Sequence, residues 1–94
     1  MNGASEELEG VGSLFLGDEK IGEVFYSITV RTAGPQGWSY PFARFRPRGY
    51  TQFYDLLNKT VTLVLEDGRR WECCINGLDG AVVAKGDWPV QEAG

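Results

Sequence analysis

This 94-residue chain predicts a small all-β domain, either an antiparallel barrel or a strongly bent sheet, SH3-like or OB-like in type. Three observations carry that expectation. Apolar residues recur at every second position in separate stretches, which is the period of a strand with one buried face. Thirteen glycines, well above the usual share of about 7%, break the chain at short intervals and favour tight turns between short strands. Helical spacing is confined to a single turn's worth of residues, and neither an internal repeat nor a low-complexity segment is present.

Taken in order, residues 1–10 (MNGASEELEG) show no apolar periodicity and are expected to be a disordered lead-in to one domain over residues 11–90. Residues 11–16 form a short strand closed by Gly17-Asp18-Glu19-Lys20. The clearest alternation follows, with Val24, Tyr26, Ile28 and Val30 on one face and Ser27, Thr29 and Arg31 on the other. Gly34-Pro35-Gln36-Gly37 is a loop. Pro41 and Pro47 then bracket a five-residue run that reads as a short edge strand or extended loop, with Ala43 and Phe45 inward and Arg44, Arg46 and Arg48 outward. Phe53, Leu56 and Leu57 share a face at helical spacing, predicting one turn within residues 52–58.

The next hairpin has two candidate registers. A two-residue Asp67-Gly68 loop would pair Leu65 with Arg70 and Leu63 with Glu72, putting charge on the buried face. The three-residue loop Glu66-Asp67-Gly68 instead pairs Leu65 with Arg69, Leu63 with Trp71 and Val61 with Cys73. It keeps the apolar residues in phase and places a glycine where a left-handed residue is needed. Asn76-Gly77 and Asp79-Gly80 mark a further reversal into residues 81–84. Trp71 is expected in the core, and Trp88 at a barrel end or against another chain.

Net charge is −4, unevenly spread. Residues 1–23 carry −5, residues 24–54 carry +4 with no acid, and residues 55–94 carry −3. Seven of the twelve aromatic residues also fall within residues 38–54, WSYPFARFRPRGYTQFY, interleaved with arginines. Arginine beside aromatic surface can stack on bases, pair with carboxylates or dock on another protein. The candidate binding or interface residues are therefore Trp38, Tyr40, Phe42, Arg44, Arg46, Arg48 and Tyr50.

Catalytic and metal chemistry find little here. The chain has no histidine, so imidazole-based triads and the usual zinc sets are absent. The glycines of GPQG and NGLDG are spaced as turn formers and not as a phosphate-binding loop. Asp18-Glu19 and Glu66-Asp67 fall in turns, where carboxylates serve solvation. Cys73 and Cys74 are adjacent, so on a strand their sulfurs diverge; they read as free thiols in a reducing compartment, Cys73 in the core and Cys74 on the other face. Neither catalysis nor a cofactor is expected. No apolar run approaches the roughly 20 residues of a membrane span and no secretory signal opens the chain, which predicts a soluble, cytoplasmic protein.

Residues 56–70, LLNKTVTLVLEDGRR, resemble the first sequence motif of Sm-like RNA-binding proteins: a leucine-rich helix end, a strand, then an Asp-Gly turn followed by Arg. That resemblance implies a bent-strand barrel. It does not carry RNA binding, because Leu78-Asp79-Gly80-Ala81-Val82 supplies the family's base-holding Asp without its Asn, and Lys85-Gly86 lies too close to Asp79 to stand for the second motif.

The function expected from these features is a non-enzymatic interaction module that self-associates through the aromatic and arginine segment as a homo-oligomer. Two alternatives use the same chemistry: single-stranded nucleic-acid binding, which the acidic balance disfavours, and small-ligand binding at an aromatic-lined barrel mouth.

Overall fold

The computed structural model describes residues 4–33, 38–49 and 53–88. Six strands are present: β1 (Ala4–Leu16), β2 (Glu19–Ala33), β3 (Trp38–Arg48), β4 (Thr60–Val64), β5 (Arg70–Ile75) and β6 (Ala81–Ala84). They close into an antiparallel barrel in the order β1-β2-β3-β6-β5-β4, so of the two expected architectures the barrel is the one found. Two three-stranded meanders make it, joined by a β1–β4 seam at Ser13, Leu14 and Phe15 and a β3–β6 seam at Ala43 and Arg44. A 3-10 turn, Tyr54–Leu56, leads into β4, with Phe53 and Leu56 buried as the helical spacing predicted.

The interior is the set that period-two reading selected. Val24, Tyr26, Ile28 and Val30 from β2, Val61 and Leu63 from β4, and Trp71 and Cys73 from β5 are buried, with Leu65 just past β4. Pairs Leu63↔Trp71 and Val61↔Cys73 match the three-residue loop. Gly68 has φ +92° and donates its N–H to the Leu65 carbonyl at 3.0 Å, while the Leu65 N–H bonds the Arg69 carbonyl at 2.9 Å. The turn wins over the shorter alternative because it keeps Arg70 and Glu72 on the exposed side, and the one charged side chain it turns inward, Arg69, is paired with Asp67 at 2.8 Å. Trp88 fills the interior beside Trp71, edge to face at 5.2 Å between ring centres.

Two elements depart from expectation. Residues 4–10 are not a loose lead-in: they form the first half of β1 and pair with β2 out to Ala4↔Thr32. Their inward positions are Glu6, Leu8 and Gly10, too few apolar side chains to produce a visible alternation. The ladder there rests on backbone groups offered by the 15-residue β2. The second departure is β3, which runs 11 residues straight through both prolines. The reason lies in hydrogen-bond parity. The Phe45 N–H points away from β2 and donates to the Gly80 carbonyl at 2.9 Å. Pro41 and Pro47 share that parity, so the N–H each lacks would have faced away from β2, on either side of the short seam with β6.

Closure uses two local devices. Leu14 pairs with Gly22 and Phe15 with Lys20, leaving Ile21 as a bulge that sharpens the twist of the first hairpin. Past the β1–β4 seam, Glu66 continues the ladder with its side chain: its Oε2 accepts the Val11 N–H at 2.9 Å. Gly10 makes room, since a Cβ there would lie 2.7 Å from the Glu66 carboxyl carbon. Glu66 is thus a structural acceptor and not the solvating turn carboxylate its position suggested.

Candidate functional site

Pairing of β2 with β3 runs unbroken from Glu23↔Arg48 to Ala33↔Trp38. Alternation then sorts the aromatic and arginine segment into two faces. Phe45 is fully buried and Ala43 packs against the core, while Tyr40, Phe42, Arg44, Arg46 and Arg48 stand on the outer face. The expected inward and outward assignment is therefore what β3 shows. Successive outward residues on one strand lie about 6.6–6.8 Å apart, so Arg44, Arg46 and Arg48 form a regular column.

β2 supplies the neighbouring column, in the rows Arg31↔Tyr40, Thr29↔Phe42, Ser27↔Arg44, Phe25↔Arg46 and Glu23↔Arg48. Guanidiniums lie over rings across these rows: Arg31 over Phe42 at 5.8 Å, and Arg46 and Arg48 over Phe25 at 5.5 and 5.9 Å. Arg48 Nη1 donates to Glu23 Oε1 at 2.8 Å, and Lys20 Nζ to the same carboxylate at 3.2 Å. Lys20, and after it Arg48, hold the Glu23 carboxyl below its ordinary range. β1 adds a third column, Glu7, Glu9 and Val11, beside Thr29, Ser27 and Phe25. Between the long side chains of the outer columns, Ser27 is small, and a shallow depression of about 390 Å³ opens there, lined by Glu9, Phe25, Ser27, Arg44 and Arg46.

The structure thus brings Tyr40, Phe42, Arg44, Arg46 and Arg48 onto one face. Trp38 opens β3, but its side chain lies outside what is described, and Tyr50 falls outside the described residues altogether. Sequence reading missed Phe25, Arg31 and Glu9 as members of this face. Phe25 carried a signal: it is the one large apolar residue out of phase with Val24, Tyr26, Ile28 and Val30, and such a residue on a half-buried strand must face outward. Glu9 carried none, because its strand was not expected.

Other sites offer less chemistry. Cys73 and Cys74 are free and buried, and burial pushes the Cys73 thiol up to about 12, far from a reactive thiolate. Among the described residues, no three acidic or cysteine side chains are grouped to hold a metal ion, and no helix is long and apolar enough to cross a membrane. Trp71 and Trp88 are buried in the barrel interior, packed edge to face. Comparison with known proteins finds no match among family models, curated proteins or solved structures.

Proposed function

We propose that this chain is a non-enzymatic interaction module that self-associates through the outer face of β2 and β3. The observation carrying this reading is Phe42, which is 60% exposed in the midst of an ordered sheet, with Tyr40 at 49% and Phe25 at 40% on the same face. Large aromatic surface left in water on a rigid scaffold is costly and typically marks a contact surface. Tyrosine and arginine are also the residue types that dominate binding energy at protein interfaces. Stacking of Arg31, Arg46 and Arg48 over Phe42 and Phe25 pre-orders those side chains, which reduces the entropy lost on docking.

The β3 edge is a poorer candidate than the face. Pro41 and Pro47 remove donors from the free side of β3, which disfavours strand addition there. Single-stranded nucleic acid, the competing occupant of the arginine column, would meet Glu9 and Glu23 on the same face and a chain of net charge −4. Sedimentation velocity over a concentration series tests the reading. The wild-type chain should show concentration-dependent mass, and Phe42→Ala should weaken self-association more than Arg46→Ala, because apolar burial supplies most of the affinity and rim charges supply about 0–1 kcal/mol each. A wild-type monomer at high concentration would remove self-association as the function.

A further inference from the structure

The charge layout of this face goes further than the proposed self-association, on which the following inference rests: it selects how two copies meet. The outer face has three columns. β1 presents Glu7 and Glu9, β3 presents Arg44, Arg46 and Arg48, and β2 between them presents Phe25, Ser27 and Thr29. Adjacent strands are about 4.8 Å apart, so the acidic and basic columns stand about 10 Å from each other, one on each side of β2. Among the described residues, no ion pair joins Glu9 to Arg44 or Arg46, although they line the same depression.

Two such faces can oppose each other about a two-fold axis lying in the plane between them. An axis running across the strands would set the acidic column against itself and the arginine column against itself. An axis running along the strands exchanges left and right with the rows kept level, and so sets Glu9 of one copy against Arg44 of the other, with Glu7 facing Phe42 and Val11 facing Arg46 in the adjoining rows. We propose that a second copy of this chain docks face to face about a two-fold axis along β2, with Glu9 of each copy opposite Arg44 of the other. The registers support that height, since Glu9, Ser27 and Arg44 form one row, and an axis along the strands keeps rows level. Ser27 and Thr29 at the centre are small enough to let the sheets approach, and Phe25 meets its own copy on the axis. The like charges at the ends of the β2 column are already turned aside, Arg31 over the Phe42 ring and Glu23 toward Lys20 and Arg48.

Two exposed substitutions, Glu9→Arg and Arg44→Glu, test this by sedimentation and native mass spectrometry. Each variant alone places like charges at both central contacts, and its self-association should weaken by about tenfold or more. In an equimolar mixture, both central contacts join an arginine of the Glu9→Arg chain to a glutamate of the Arg44→Glu chain. The mixture should therefore form a heterodimer with affinity near that of the wild-type homodimer. Contacts within one chain cannot produce that rescue. If the wild type dimerises and both variants dimerise as tightly, or if the mixture stays monomeric, the proposed axis is wrong while self-association stands. A wild type that stays monomeric overturns both.

Discussion

Gly80 shows how much one missing side chain can hold together. Its φ is +90°, and a Cβ built there would sit 1.8 Å from the Phe45 carbonyl oxygen. Its own carbonyl accepts the Phe45 N–H, so the position that must be bare is also part of the contact between the two meanders. Gly68 has nearly the same backbone, φ +92°, but nothing within 4 Å of the same virtual atom. Gly68→Ala should therefore cost only the left-handed penalty, about 1 kcal/mol, and Gly80→Ala about 3 kcal/mol or more, since backbone must also shift. Urea denaturation of the two variants side by side measures the difference; equal losses would mean that Gly80 is not tightly packed against β3. Cys73 gives a pH-dependent counterpart. Burial, and secondarily the neighbouring Cys74, push its thiol from the ordinary value of 9.0 up to about 12. Above pH 9 the unfolded chain has released a proton that the native chain retains, so stability falls as pH rises, by about 1.4 kcal/mol per pH unit from this group. Cys73→Ala should be less stable at pH 8 yet lose less between pH 8 and 10 than the wild type does.

Elements differ in how far sequence announces them, and the reason is where their partners lie. The β4–β5 hairpin was legible to the register, because turn and strands are local and only one loop length keeps Leu63 opposite Trp71. The β2 core face was legible because every second residue is apolar. The first half of β1 was not, because its partners are backbone groups about twenty residues away and its own inward side chains are Glu6, Leu8 and Gly10. Nor was the β3 length, since whether a strand tolerates proline depends on which side its missing donor faces. The candidate face was legible as composition: Arg44, Arg46 and Arg48 alternate visibly with inward residues. Glu9 and Arg31 became part of it only through strand pairing. Glu66 links this element scale to a measurement. Glu66→Ala should lower stability by about 1–2 kcal/mol, the range for a hydrogen bond to a charged group on a partly exposed edge. Hydrogen exchange of the Val11 amide should accelerate beyond the average for β1; unchanged protection at Val11 would show that the Glu66 carboxylate is not its acceptor.

At the scale of the whole molecule, the two meanders are unequal. β1, β2 and β3 span 13, 15 and 11 residues against 5, 6 and 4 for β4, β5 and β6, so the first meander extends beyond the second. The extension is pinned from beneath by Arg69, which reaches Asp67 at 2.8 Å and Glu6 at 3.6 Å and lies over the Trp88 ring. Its guanidinium holds the Asp67 carboxyl below its ordinary range, so the stability this pair adds is present at neutral pH and is lost as pH falls through that lowered value. Arg69→Met keeps the apolar stem and removes the charge. It should lower the thermal midpoint at pH 7, with the difference from wild type shrinking toward pH 2 as the carboxylates protonate. A difference that is constant across that range would assign the residue's contribution to packing alone.

Pro41 and Pro47 also bear on the size of any assembly. A sheet that recruits strands along an exposed edge regenerates that edge with every copy added, and growth then stops only when protein runs out. Here the side of β3 that faces away from β2 lacks a donor on either side of the seam, while a face-to-face pair uses up the surface that made it. In the proposed face-to-face pair, assembly would therefore stop at two copies. Replacing both prolines with valine would restore an uninterrupted row of donors, and the expected phenotype is turbidity and thioflavin-positive fibrils at concentrations where the parent chain stays clear.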